Sequence, residues 1–425
     1  MKTAKQDTAV RNIQCTQTAR LCQCRIQKPR QKYKNQRYEK MFIRKTAERN
    51  PELVEAGFDL MKKGLILPDT YVIDTDRFLA NAEKILQEAR RQGIDLYFML
   101  KQIGRNPWLA QKLVEMGYPG AVTVDFREAQ VMMDHNIPIC NVGHLVQCPR
   151  GFLKEIIAYG PEYMTVYSRE KIREISREAA SQGKVMKLLI KVADLGDLIY
   201  SGQSAGFSPD QLPSLLDEID SLPGVMTGGV TSFPAFLLND QSKELEATHN
   251  LETLMKAGEI LAARGVTDIN INAPSATCVR TISAMSAYPA ISSAEPGHGL
   301  SGTTPLHALE DEPEIPCVIY MTEVSHDFHG HSYCYGGGYY RRSCVKEALA
   351  GTSLADAEYC KVIPADPACI DYYFELDRTF PVSTPVCMAF RFQIFVTRSH
   401  TVLVQGLASG HPEIIGEYDS LGRKL

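Results

Sequence analysis

A closed (β/α)8 TIM-type barrel with a C-terminal, mostly β domain is the fold class this sequence predicts, and three observations predict it. Apolar runs of strand length near 95–100, 120–124, 138–142, 163–167, 185–192, 225–231, 268–272 and 291–295 alternate with helical segments such as 107–116, 126–135, 169–182, 211–221, 251–264 and 276–287. Short apolar runs separated by segments of 3.6-residue periodicity are the pattern of parallel strands joined by helical crossovers. No Gly-rich turn follows the first of these strands, which weighs against a doubly wound open sheet. After Pro305 the helical periodicity fades, and 317–325, 370–376, 387–398 and 401–407 read as strands broken by polar residues, with 348–359 as a short helix among them.

Composition bounds the function classes. With 44% hydrophobic and 23% charged residues over 425 positions, the chain has the make-up of a soluble globular protein. No apolar run reaches the length of a membrane span. Twelve cysteines are scattered without a C-x-x-C pair, which in a long chain without a secretory signal fits free thiols in a reducing cytoplasm. Residues 1–40 differ from the rest: eleven Lys and Arg stand against Asp7 and Glu39, a net of +9, while the remaining 35 basic and 48 acidic residues give −13. Such a basic, acid-poor leader suits a transit peptide or nucleic-acid contact. Cys15, Cys22 and Cys24 within it lack zinc-site spacing. The simpler expectation is a disordered extension with no nucleic-acid partner, the compact protein beginning near Met41. The expected division is therefore 1–40 leader, 41–305 barrel and 306–425 β domain.

Taken in order, 52–63 reads as a short helix and 70–74 as a strand. Asp74-Thr75-Asp76 then caps a helix whose Phe78, Leu79, Ala82, Ile85, Leu86 and Ala89 recur at helical spacing. The rest of the chain is organised around the stretch 94–108, I-D-L-Y-F-M-L-K-Q-I-G-R-N-P-W. Lys101 stands where the first barrel strand ends, with Asn106 as an N-cap and Pro107 in the first turn of the next helix. A lysine at a buried strand end loses solvation, its pKa drops, and its amine becomes a nucleophile able to form Schiff bases with carbonyl cofactors. The competing reading is a solvated strand-end lysine.

In a barrel the reactive groups collect at the carboxyl ends of the strands. Those positions hold Lys101, Asp125, His144, the region after Lys191, Ser232, Ser275 and Glu295. Glu295-Pro296-Gly297-His298-Gly299 offers backbone N–H groups to a phosphate and a carboxylate to a pyridinium nitrogen, or else is an acidic turn. Ser275 and Thr277 are phosphate donors at a helix start, or N-caps.

The run Y-V-I-D-T-D-R-F-L-A-N-A-E-K-I, followed by F-M-L-K-Q-I-G-R-N-P, resembles the opening of the alanine racemase-like, fold-type III pyridoxal-phosphate enzymes. The resemblance covers about 70–400. It implies a phosphate-binding barrel, a β domain, a head-to-tail homodimer with shared active sites, pyridoxal 5′-phosphate as cofactor and an amino acid as substrate. Lys101 matches the lysine that carries the cofactor, and Ser275 the serine that contacts its phosphate. E-P-G-H at 295–298 is similar to the E-P-G-R of basic amino-acid decarboxylases, where alanine racemases place an arginine against the ring nitrogen. Together with S-Y-C-Y-G-G-G-Y-Y-R-R at 332–342, the whole chain is most similar to an uncharacterised bacterial branch of that family.

Two departures come with the same resemblance. Ser232, in T-S-F-P, occupies the place where relatives set a histidine against the cofactor ring, so that contact is either lost or supplied elsewhere, with His144 the candidate. Lys191 aligns with a lysine supporting the substrate-binding arginine of alanine racemases, but that arginine has no counterpart near 203–206. In the β domain, Tyr335 and Cys334 are the candidate acid/base groups, read against a Gly-rich turn with aromatic packing. His326, His329 and His331 read as a solvated turn, and no metal site is expected. The expected function is an amino-acid racemase, with a decarboxylase or a D-amino-acid lyase or aldolase as alternatives, and a non-catalytic pyridoxal-phosphate carrier as a further one. The cofactor set is Lys101, Ser275, Glu295, Gly297, His298, His144 and Ser232; the catalytic set is Lys101, Tyr335 and Cys334.

Overall fold

The computed structural model describes residues 42–425 apart from Asp240, Arg341, Arg342, Cys344, Pro364 and Pro367. The leader with its cysteines, and the two arginines that end the tyrosine–glycine run, lie outside the described residues. Two helices, α1 (Phe42–Arg49) and α2 (Pro51–Lys62), precede strand β1 (Thr70–Asp74) and helix α3 (Thr75–Gln92). The N-cap of α3 is Asp74, whose carboxylate accepts the Arg77 N–H at 3.0 Å, and Gly93 ends it at a φ of 69°. Glycine takes that left-handed conformation without strain.

The repeat then runs β2 (Asp95–Phe98), α4 (Pro107–Glu115), β3 (Gly120–Thr123), α5 (Phe126–Asp134), β4 (Ile139–Val142), α6 (Leu153–Tyr159), β5 (Tyr163–Val166), α7 (Arg169–Ser181), β6 (Met186–Lys191), α8 (Leu212–Ser221) and β7 (Val225–Thr231). A hairpin, β8 (Phe236–Leu238) and β9 (Leu245–Ala247), precedes α9 (His249–Ala263), β10 (Asn270–Asn272), α10 (Val279–Met285) and β11 (Ser293–Ala294). Strands β2 to β7, β10 and β11 close into one barrel, β11 pairing β2 in parallel. All eight coincide with the apolar runs of the sequence. Asn106 and Asp125 cap α4 and α5 through their side chains, so the helix starts after β2 and β3 are fixed locally.

The second unit of structure is a sheet of nine strands: β1, β12 (Val318–Phe328), β13 (His331–Tyr335), β14 (Glu347–Ala350), β15 (Glu358–Ile363), β16 (Tyr373–Leu376), β17 (Pro385–Met388), β18 (His400–Gln405) and β19 (Glu413–Asp419). Two expectations need correcting. Strand β1, within the 41–305 stretch expected as barrel, lies instead inside this sheet, antiparallel to β12 and parallel to β18. All five of its residues are buried, with α2 contributing to the layer on one side through Leu53, Phe58 and Met61 against Val72, Ile319 and Val402. The helix expected over 348–359 is instead β14, a loop over 351–357 and β15. Its alanines favour helix, but Gly351 meets Ala357 so closely that an added Cβ would stand 2.5 Å from the Ala357 Cα, and the hairpin prevails. Among the described residues no helix is long and apolar enough to cross a membrane.

Candidate active site

Lys101 begins a single 3-10 turn, Lys101–Ile103, directly after β2. Gly104 and Arg105, next in the chain, both have positive φ, 72° and 56°. For arginine this costs on the order of 1 kcal/mol. It is held there by a buried ion pair, its Nη2 donating to Asp125 Oδ2 at 2.7 Å, and by contact with the Phe395 ring at 5.2 Å. The turn that presents Lys101 is thus tied to the start of α5 on one side and to the β domain on the other.

At the carboxyl ends of the barrel strands lies a cavity of about 260 Å³. Its wall brings together Lys101, His144, Ser275, Glu295, Gly297 and His298, six of the residues singled out in sequence. Burial pushes the Lys101 amine down, with Arg391 adding to the fall, while the carboxyls of Glu128 and Glu295 pull against it. Glu295 is 2% exposed, with the Asn141 and Asn272 amides beside its carboxyl. Burial therefore raises its carboxyl to about 8, opposed by the amides of Asn141 and Asn272 and by Lys101. Those amides are themselves positioned: Thr165 Oγ1 donates to Asn141 Oδ1 and Thr231 Oγ1 to Asn272 Oδ1, each at 2.8 Å.

His144 lies with its Nδ1 3.4 Å from Glu295 Oε2. Burial first, then the charges of Lys101 and Lys191, hold it down at about 3, so the ring is neutral. It meets Phe233 edge-on at 6.1 Å. His298 is likewise held neutral by burial, and its Nε2–H donates to the Phe392 carbonyl at 3.0 Å. Ser275 is no N-cap: its hydroxyl donates to the Phe236 carbonyl at 2.6 Å and accepts the Phe236 N–H at 3.1 Å, pinning the β8 hairpin to the cavity rim. At Gly297 a Cβ would stand 2.5 Å from Gln102 Nε2, so glycine is what lets this turn lie against the Lys101 turn.

Three expected residues are not gathered here. Ser232 is buried behind the wall, facing a smaller cavity with Lys191 and Asn250, whose Nδ2 donates to the Ser232 hydroxyl at 3.4 Å. Phe233, not Ser232, faces the main cavity. Cys334 is a correction: it is fully buried in β13, its thiol directed at the Phe374 carbonyl 3.7 Å away, and burial raises the thiol far from nucleophilic range. Tyr335, at the end of β13, is 38% exposed beside Tyr373 and is absent from this cavity wall.

The sequence reading missed others. Glu128 is buried in α5, its Oε2 accepting the Val124 N–H at 2.8 Å, and burial lifts its carboxyl to about 7. Its signal was positional: a glutamate three residues after the N-cap Asp125 turns back over the strand end. Arg391, Gln393 and Phe395 line the cavity while Phe390, Phe392 and Ile394 are buried. That alternation was visible in A-F-R-F-Q-I-F as a two-residue period.

Comparison with known proteins agrees with this architecture. A family model described as alanine racemase, N-terminal domain matches residues 73–305, and one described as YhfX-like, C-terminal domain matches 319–414. Uncharacterized protein YhfX of Escherichia coli (strain K12) is 42% identical over 386 residues, which is 91% of this chain and 100% of that protein. Among solved structures, D-threonine aldolase from Filomicrobium marinum superposes with a TM-score of 0.63 at 14% identity, over 84% of this chain and 95% of its own. Alanine racemase of Clostridium difficile 630, in complex with cycloserine, gives 0.57 at 16%, over 84% and 99%. At these identities the two structures speak to the fold alone.

Proposed function

The chain belongs to the family of the alanine racemase N-terminal domain, and from that premise we propose that it is a pyridoxal-phosphate-dependent enzyme acting at Cα of an amino acid, foremost as an amino-acid racemase. One observation carries the reading: Lys101, with its depressed amine, and Glu295, a buried carboxyl, face one cavity.

The residues fit the cofactor. An amine with lowered proton affinity suits an aldehyde, and a buried carboxyl facing the cavity suits a protonated ring nitrogen. Ser275 and the turn at Gly297 would take the phosphate, and His144 with Phe233 would flank the ring. Pyridoxal phosphate, when bound, supplies an electron sink for charge developing at Cα. The chain's own part is to place and move protons. Lys101 takes the Cα proton on one face, because its amine is already held toward the neutral form. Glu295 keeps a proton at the ring nitrogen, and the apolar wall of Phe233, Leu237 and Phe395 excludes water.

A racemase needs a second proton carrier on the opposite face. Tyr335 would fit that role in a homodimer that brought the exposed Tyr335, Tyr372 and Tyr373 to the cavity of a second copy. Seven of the described cysteines are buried free thiols, which supports a cytoplasmic protein. Incubation of single-enantiomer amino acids with cofactor-loaded protein in deuterium oxide tests the reading. A racemase exchanges the Cα hydrogen and inverts chirality. An aldolase releases an aldehyde, a decarboxylase releases carbon dioxide, and a carrier does none of these. Absence of exchange with inversion across the proteinogenic amino acids would overturn it.

A further inference from the structure

The last two turns of the barrel meet outside the cavity, at a group of buried polar side chains that the proposed chemistry does not use. The turn after β10 carries Pro274, Ser275 and Ala276 into the cavity wall, and the turn after β11 carries Gly297 and His298. The two touch backbone to backbone: a Cβ at Gly299 would stand 2.1 Å from the Thr277 carbonyl oxygen. That contact stops the turns from closing further. A separate tie is needed to stop them from parting.

Glu314 is placed to be that tie. Its Oε1 accepts the Val279 N–H, at the first residue of α10, at 2.7 Å. Cys278, the residue before, makes no side-chain cap bond, so α10 takes its cap from 35 residues further along the chain. Glu314 Oε2 stands 3.3 Å from Nε2 of His307, whose Nδ1 lies 2.7 Å from the Thr304 hydroxyl oxygen. Thr304 precedes Pro305, which is in the cavity wall. Glu314, His307 and Thr304 are all buried, so water cannot replace a lost contact among them. The backbone beside Glu314 is itself fixed. Asn81 of α3 accepts the Ile315 N–H at 2.8 Å and donates to the carbonyls of Ile315 and Leu300 at 2.8 and 3.1 Å. Arg49 Nη1 donates to the Glu314 carbonyl at 2.9 Å.

We infer that Glu314 and His307 are positioning residues that hold the turn of Ser275 at a set distance from the turn of Gly297, and so fix the width of the cavity end that takes the cofactor's phosphate. The inference rests on the cofactor reading above and deepens it. Both residues lie behind the wall and act through the backbone of the turns in front of them. Hydrogen bonds to a phosphate are short and charge-assisted, so parting the turns loses them. The aldehyde end of the cofactor depends instead on Lys101, which stands on the turn after β2.

The test compares pyridoxal 5′-phosphate with pyridoxal, which carries the same aldehyde without the phosphate. Each is titrated into cofactor-stripped full-length protein, reading visible absorbance. Wild type is expected to prefer the phosphorylated form by about 100-fold. Glu314→Ala should lower that preference by about tenfold or more and leave pyridoxal affinity within about threefold. Glu314→Gln keeps an acceptor for the Val279 N–H and should restore most of it. His307→Ala leaves the Val279 bond in place and removes only the link to Thr304; it should lower the preference by about fivefold, and it decides the matter if Glu314→Ala does not fold. Ser283→Ala is the control. Its hydroxyl donates to Glu88 at 2.6 Å and ties α10 to α3 further along the helix, so its loss should leave the preference within about twofold. An unchanged preference in the folded Glu314 and His307 variants overturns the inference. An equal fall in Ser283→Ala overturns it too, since general loosening of α10 would then be the cause. Equal binding of the two aldehydes by wild type, or failure to trap a Lys101 adduct with borohydride, would instead overturn the cofactor reading, and this inference with it.

Discussion

The ends of β2 and β6 pose the same problem and solve it differently. Strand β6 ends at Lys191 and β2 is followed, past Met99 and Leu100, by Lys101; both lie on the barrel's carboxyl side, and burial lowers both amines. Lys191 donates to the Gln203 carbonyl at 3.2 Å, lies 5.3 Å from the centre of the Tyr167 ring, and faces a cavity too small for a ligand. Lys101 opens on the large cavity, with the carboxyls of Glu128 and Glu295 opposing the fall of its pKa. A depressed pKa is thus common to both; what separates a nucleophile from a packed cation is the space in front of the amine and the acids beside it. Mutation at the two ends should separate these effects.

The largest effect is expected at Lys101. Lys101→Ala should abolish the borohydride-trapped adduct and lower turnover by roughly 1000-fold or more, on the scale of losing a positioned acid/base. Peptide mass spectrometry of the wild-type adduct should find Lys101 and leave Lys191 unmodified. An adduct on Lys191 would dissolve the contrast.

Next comes the acid across the cavity. Glu295→Gln and Glu295→Arg should both still bind cofactor, since phosphate contacts lie on other residues, yet lose about 100-fold or more in turnover. An arginine repels a proton on the ring nitrogen. If Glu295→Arg keeps the wild-type rate, Glu295 does not serve the electron sink, and the enzyme works like an alanine racemase despite its E-P-G-H.

Glu128 sharpens the comparison from behind the wall. Removing its charge in Glu128→Gln should lower the Lys101 pKa further, moving the acidic limb of the rate profile to lower pH with about a tenfold change or less. Stability has its own sign. A carboxyl raised to about 7 when folded, from 4.5 unfolded, binds its proton more tightly in the native state. That contribution is complete below the unfolded value and is lost as pH rises through about 7. Glutamine stays neutral throughout, so the variant's melting temperature should gain on wild type above pH 7, by a free energy of at most about 3 kcal/mol. A constant difference from pH 4 to 8 would contradict the raised carboxyl.

How much of this was legible in the chain depends on the range of the interactions. The barrel was, because each βα unit is specified by nearby residues: a short apolar run, then a cap such as Asn106 or Asp125. Six site residues could be read from strand ends for the same reason. The sheet was only partly legible, since β1 pairs with β18 across some 330 residues of sequence and no local signal names that partner. Arg391 was lost with it: its alternation says which way the side chain faces, but not that a barrel mouth lies opposite. Cys334 looked reactive because composition reports a thiol and not the core that encloses it.

The smallest effect is expected at Lys191, and its smallness is informative. Lys191→Met keeps most of the side-chain volume, removes one hydrogen bond to the Gln203 carbonyl and relieves a desolvated charge. These effects oppose each other, so stability should change by no more than about 1 kcal/mol. Turnover should stay within about threefold, because Lys191 faces the smaller cavity and not the main one. One property should still move. Lys191 is among the charges that hold His144 down, so its removal should let the His144 pKa rise from about 3. Burial, the larger cause, remains, and the ring should stay neutral at pH 7. Titration of the His144 ring by NMR in both proteins measures this. A rise with unchanged turnover would show that Lys191 sets only the field behind the site. A 100-fold loss of turnover would place Lys191 in the chemistry, and the two strand ends would then share one role.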